Sequence, residues 1–222
     1  MSHAVKVLAI ENLTHDVLHI VAEKPAALNY LPGQAVDVSI NNATWKNELR
    51  AFTFTSLPED NQIEFIIKTY PNHQGVTNQL LLLKKGDELL VGDVFGDIHY
   101  KGEGVFIAGG AGITPFIAIL KNLEKEQKLG NNQLIFANKT RADIILEKPL
   151  QKLLGANFTN VLSGEECEGY HHGFITPELL QTHLTNGIQY FYLCGPPPMM
   201  EAVEKQLATL GIASEYIVKE AF

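Results

Sequence analysis

The chain has 222 residues, 45% hydrophobic and 19% charged, with a formal net charge of −8, the profile of an ordinary soluble globular protein. That length allows one large domain or two of about 100 residues, and the acidic balance argues against a nucleic-acid binder, which needs a basic face. Only Cys167 and Cys194 are present, too few for a disulfide framework or an iron–sulfur or zinc cluster, so a redox centre has to be a bound organic group or lie on another protein.

Six short segments of strand character occupy the first hundred residues, at 6–10, 17–21, 35–40, 52–55, 63–69 and 88–91. Turn residues such as Pro32-Gly33, Asn41-Asn42 and Lys85-Gly86-Asp87 separate them, which predicts an antiparallel barrel or sandwich. One helix, 77–84, interrupts the series with Thr77 as its cap. From Gly104 the rhythm changes to strands at 105–108, 133–137, 158–162 and 189–193 alternating with helices at 115–129, 147–154, 177–184 and 198–210. That alternation predicts a parallel sheet with helices on both faces, closed by a last short strand at 214–219. The expected domains are therefore 1–100 and 101–222. A signal-peptide core is missing from the first residues, and the longest apolar run, 105–120, is broken by glycines and a proline. The expectation is a cytoplasmic protein with no membrane insertion.

The most informative stretch is 104–120, an apolar strand that passes through Gly109, Gly110 and Gly112 into a helix. Glycines let a ligand approach the backbone, and Thr114 as N-cap with Pro115 at the first helical position would leave unpaired amides facing an anion. A phosphate-bearing cofactor fits, and a merely close-packed crossover is the alternative. The usual dinucleotide fingerprint is incomplete: Thr-Pro replaces the third glycine, and Asn138-Lys139-Thr140-Arg141 stands where a ribose-binding acid is expected. On the first half, Arg50, Phe52 and Thr53 offer a guanidinium, a ring and a hydroxyl on one strand, and Gly75-Val76-Thr77 opens the lone helix. At the end of the last main strand, Cys194-Gly195-Pro196 begins a proline-stiffened loop that should line the same crevice as 109–115. His171-His172 reads as a surface loop and the Asp143/Glu147 pair as a solvated face, so no metal site is expected.

In order and spacing, Arg50-x-Phe52-Thr53, Gly75-Val-Thr77, Gly109-Gly-x-Gly112-x-Thr-Pro115 and Cys194-Gly-Pro-Pro resemble the ferredoxin–NADP reductase family of flavoproteins, over essentially the whole chain. The resemblance implies a six-stranded FAD-binding barrel followed by an α/β domain that binds NADPH or NADH. It implies that Arg50 and the 75–77 amides hold the flavin pyrophosphate, that Phe52 lies by the flavin ring, and that Thr53 bonds its reactive edge. Thr114 and the preceding glycines would take the pyridine dinucleotide with Cys194 near the hydride-donating carbon, so Thr53 and Cys194 are the catalytic candidates. Ile66, Lys68, Gln74, Val76, Gly110, Pro115, Gly195, Pro196, Met199 and Phe222 complete the cofactor-binding set. Lys139 and Arg141 lie where a 2′-phosphate would sit and lean toward NADPH over NADH. Phe52 stands where the family usually has Tyr, and Gln74 where glycine is common. The family implies a monomer that passes electrons to a small carrier, ferredoxin or flavodoxin. A reductase of ferric chelates or free flavin, and a subunit working only inside a larger complex, are the alternatives.

Overall fold

The structure, a computed structural model, describes residues 2–70, 75–185, 187 and 189–220. In the first half, alternation of apolar and polar residues yields β1 (His3–Thr14), β2 (Val17–Glu23), β3 (Ala35–Ile40), β4 (Arg50–Thr53), β5 (Gln62–Lys68) and β6 (Glu88–Phe95), with α1 (Val76–Gln79) between the last two. The strands pair antiparallel in the order β4-β3-β6-β1-β2-β5. A bridge between Phe54 and Phe65 joins the two ends, backed by the Thr55 N–H donating to the Glu64 carbonyl at 2.9 Å. The sheet is therefore closed into a barrel, which removes exposed edges. Its interior is filled by Val5, Ile20, Val36, Phe54 and Phe65, all 0–2% exposed. β1 outruns its predicted 6–10 because it serves two neighbours: His3–Lys6 pair with β6, and Val7–Thr14 with β2.

The helix expected over 77–84 is much shorter. Only 76–79 is α-helical, and Leu80–Leu82 continue as a 3-10 turn. Leu80 and Leu83, three residues apart, are the two leucines turned inward, whereas Leu81 and Leu82 are exposed. A three-residue repeat is what a 3-10 turn supplies.

The second half contains β7 (Gly104–Gly109), α2 (Thr114–Lys125), β8 (Gln133–Asn138), α3 (Glu147–Leu154), β9 (Phe158–Leu162), β10 (His171–His172), α4 (Pro177–Thr182), β11 (Tyr190–Cys194), α5 (Pro197–Thr209) and β12 (Ile217–Val218). These strands are all parallel, in the order β10-β9-β8-β7-β11-β12. Every residue of β7 is buried, because a central parallel strand is covered on both faces. Phe106 and Ala108 point into the cluster formed with α2 and α3, and Val105 and Ile107 into the one formed with α4 and α5. His171 and His172, expected in a loop, form an exposed edge strand against Val161 and Leu162. The strand expected at 214–219 is confined to Ile217–Val218, after a 3-10 turn over Ser214–Tyr216.

The two halves share a core. Val17, Ile66 and Ile98 belong to the same buried cluster as Phe106, Phe116 and Leu120. Polar ties reinforce it, with Lys121 Nζ of α2 donating to the Thr55 carbonyl at 2.9 Å. The connection between them is held by one buried hydroxyl: Tyr192 Oη accepts from the N–H groups of Lys101 and Gly102 at 2.9 and 3.0 Å and donates to the Gly102 carbonyl at 2.7 Å.

Candidate functional site

β7 has β8 on one side and β11 on the other, so strand order reverses there. In an open parallel sheet, ligands bind outside the carboxyl ends of the strands at such a reversal. The loops leaving those two strands, 109–114 and 194–197, interlock. A Cβ on Gly112 would stand 2.2 Å from the Cys194 carbonyl oxygen, and one on Gly109 would stand 2.5 Å from Met199 Sδ and 2.8 Å from Pro196. Gly195 is held similarly against Met199 and the Gly109 amide. Gly112 is wedged against backbone, whereas Gly109 is pressed by the Met199 and Pro196 side chains and Gly195 by Met199 and the Gly109 backbone. Gly110 differs: its φ is +51° and nothing among the described residues lies within 4 Å of a Cβ there, so a ligand can approach its backbone.

Thr114 is not the N-cap. A 3-10 turn over Gly110–Ile113 runs straight into α2, which makes Thr114 the first helical residue and Pro115 the second. The Thr114 hydroxyl donates to the Ala111 carbonyl at 3.0 Å and so braces the turn. Thr77 likewise caps nothing; Gly75 is the N-cap of α1, with extended backbone (φ −132°, ψ 179°). Among the described residues nothing lies within 4 Å of a Cβ on Gly75. Val76 is buried and Thr77 half-buried. Gln74 and Phe222 lie outside the described residues.

On the barrel side, Arg50 is exposed, donates to the Leu49 carbonyl at 2.6 Å, and lies 4.0 Å from Glu48. Phe52 and Thr53 are half-buried, with the Phe52 ring centroid 6.4 Å from that of Phe65. Ile66 packs in the same cluster as Ile113 of the glycine turn, so β5 abuts that turn. Lys68, two residues on, is paired with Asp16 at 2.7 Å. His15, Asp16 and Asp143 form one compact His/carboxylate group among the described residues, but the Lys68 ammonium already neutralises Asp16.

A carboxylate that motif reading passed over links the two sides. Glu220 accepts from the Asp97 N–H at 3.1 Å and lies beside Gly96. Gly96 adjoins Ala35, the β3 partner of Thr53. Burial, and secondarily the negative charge of Glu220, push the Cys194 thiol up to about 12. Cys194 is therefore a neutral thiol rather than a nucleophile.

At the end of β8, Lys139 is exposed, but Arg141 is engaged. Its Nε lies 3.5 Å from Glu147 and its guanidinium 5.5 Å from the Tyr170 ring centroid. Tyr170 Oη also donates to Glu147. Burial, and then that bond, push the Tyr170 hydroxyl up to about 12. Asp143 is no solvated bystander either, since it accepts from both the N–H and the hydroxyl of Thr140 at 2.8 Å. Glu147 and Tyr170 were invisible to spacing because they meet from different elements.

Residues 2–103 match the family model described as an FAD-binding domain, and 106–205 match that of an oxidoreductase NAD-binding domain. The chain is 31% identical to NADH–cytochrome b5 reductase 1 of Arabidopsis thaliana, the match covering 95% of this chain and 80% of that one. The chain belongs to the ferredoxin–NADP reductase-like flavoprotein family. It is also 30% identical to the anthranilate 1,2-dioxygenase electron transfer component of Acinetobacter baylyi, over 94% of this chain but only 63% of that protein. The cytochrome b5 reductase domain of Ulva prolifera nitrate reductase shares the fold, with a TM-score of 0.84 at 23% identity over 99% of this chain and 97% of that one. As in other members of this flavoprotein family, an FAD-binding unit precedes an NAD-binding unit. The residues present fit both groups: Gly75 and Gly110 have open space where a side chain would stand, and Arg50 offers an exposed guanidinium. Among the described residues no helix is long and apolar enough to cross a membrane.

Proposed function

We propose that this protein is an FAD-dependent oxidoreductase that draws electrons from a reduced nicotinamide dinucleotide and delivers them to a separate acceptor, a small carrier such as ferredoxin or flavodoxin. The observation that carries this is that Ile66 of barrel strand β5 packs in one buried cluster with Ile113 of the glycine turn, beside the interlocked loops 109–114 and 194–197 at the end of the parallel sheet. When bound, FAD supplies the exchange between two-electron and one-electron chemistry. Arg50 and the amides of Gly75, Val76 and Thr77 hold its pyrophosphate, and Phe52, Thr53, Ile66 and Lys68 line its ring. The Gly110–Thr114 turn, Pro115, Gly195, Pro196 and Met199 shape the dinucleotide site. Cys194 contributes a small un-ionised surface that orients the nicotinamide without competing as a nucleophile.

The division into 1–100 and 101–222 belongs to the same proposal. It is supported by the gap between β6, ending at Phe95, and β7, starting at Gly104. A cytoplasmic monomer completes it, in keeping with two free cysteines. Purified protein is expected to be yellow and to bleach anaerobically on adding NADH or NADPH. Colourless protein that takes up no added FAD overturns the assignment, and side-by-side rates with ferredoxin, flavodoxin, ferric chelate and free flavin identify the acceptor.

A further inference from the structure

We propose that the dinucleotide site selects NADH, which lacks a 2′-phosphate, and that Glu147 is a specificity-determining residue because it disables Arg141 as a phosphate ligand. This rests on the function proposed above. In a parallel sheet of this kind, the end of the second strand faces the adenosine ribose, where an acid suits the free 2′-hydroxyl and an arginine suits the 2′-phosphate. Arg141 and Lys139 stand there in sequence and suggest phosphate. The folded chain leaves Lys139 exposed but surrounds Arg141 with carboxylates.

Three donors of residues 140 and 141 end on carboxylates and a fourth, Arg141 Nε, lies beside one, while the rest of the guanidinium is exposed. The Thr140 N–H and hydroxyl both end on Asp143 at 2.8 Å. The Arg141 N–H donates to Glu165 at 2.9 Å, and Arg141 Nε faces Glu147 at 3.5 Å. Glu147 is fixed in turn by the Tyr170 hydroxyl, and the Tyr170 ring lies under the guanidinium. The loop that brings Glu165 and Tyr170 is clamped to this strand end by the Gly164 N–H donating to the Lys139 carbonyl at 2.8 Å, and it also carries Glu166 and Glu168. A phosphate offers only acceptors and about two negative charges at neutral pH, so it would have to displace carboxylates in an acidic setting. A ribose hydroxyl can donate to a carboxylate such as Glu165.

Calorimetric titration of the FAD-loaded protein with NAD+ and NADP+, together with kcat/KM for NADH and NADPH, tests this. NADP(H) is expected to be weaker by at least about tenfold, equivalent to ~1.4 kcal/mol. The gap should narrow as salt screens the acids. Glu147→Gln is expected to improve NADP+ binding and the NADPH KM by about three- to tenfold relative to NAD(H), with Glu165→Gln acting in the same direction as a second variant. Equal or tighter binding of NADP+, or a gap that widens with salt, overturns the proposal. An unchanged NADP+/NAD+ ratio in both variants overturns the role of Glu147. Failure of either dinucleotide to bind or to reduce the flavin overturns the underlying function as well, and differs visibly from a reversed preference.

Discussion

Replacing Gly75 with alanine separates a glycine kept for a ligand from one kept for the fold. The backbone there is extended, at φ −132° and ψ 179°, a conformation any residue adopts. Nothing among the described residues lies within 4 Å of the added methyl. Removing glycine's freedom from the unfolded chain at such a position stabilises by ~0.4–1 kcal/mol. For a protein of this size that raises Tm by about 1–4 °C. The methyl would, however, project into the space assigned to the flavin pyrophosphate and push it off the amides that follow. Hydrogen bonds to charged groups contribute about 1.5–3 kcal/mol each, so losing one weakens FAD binding by about tenfold or more. Differential scanning of flavin-free protein and fluorescence titration with FAD read the two effects independently. Unchanged FAD affinity, or a lower Tm without flavin, would refute the reasoning.

Gly112→Ala should behave oppositely. Its methyl would stand 2.2 Å from the Cys194 carbonyl oxygen, backbone that cannot move aside, so a loss of about 1–3 kcal/mol or more is expected in urea unfolding; an unchanged midpoint would count against the interlocked loops. The His19 imidazole is raised from its usual value of 6.5 chiefly by its bond to Glu64, and Glu64 is lowered from 4.5 chiefly by the same bond. The folded state therefore holds the His19 proton more tightly than the unfolded chain. That contribution is complete below pH 6.5 and fades as pH rises through the folded value, while the Glu64 contribution is lost as pH falls below 4.5. The urea-midpoint difference between wild type and His19→Gln is expected to shrink between about pH 6 and pH 9; a growing difference would reverse the sign. Cys194, pushed up to about 12, should alkylate at pH 8 at least about tenfold more slowly in the folded protein than in denaturant, and mass spectrometry locating rapid label on it would contradict a neutral thiol.

Local periodicity carried most of the architecture. β3, α3 and β9 fall at the predicted 35–40, 147–154 and 158–162, because alternation in strands and the 3.6-residue stripe in α3 are properties of consecutive residues. The errors cluster where a turn feeds directly into a helix. Thr114 and Thr77 both have the residue type of a cap, yet each already sits inside a helical turn, so its hydroxyl has no cap position to fill.

What the chain determined by itself was the type and order of its elements, and hence an antiparallel barrel or sandwich followed by a parallel sheet with helices on both faces. Residue type and spacing suffice for that, since they decide which face each segment must bury. Only the folded molecule decided which glycine has open space beside it and which is wedged against Cys194, and which carboxylates surround Arg141. Each of those outcomes depends on a neighbour arriving from a distant stretch of chain, and electrostatic and steric environment is a property of that neighbour as much as of the residue itself.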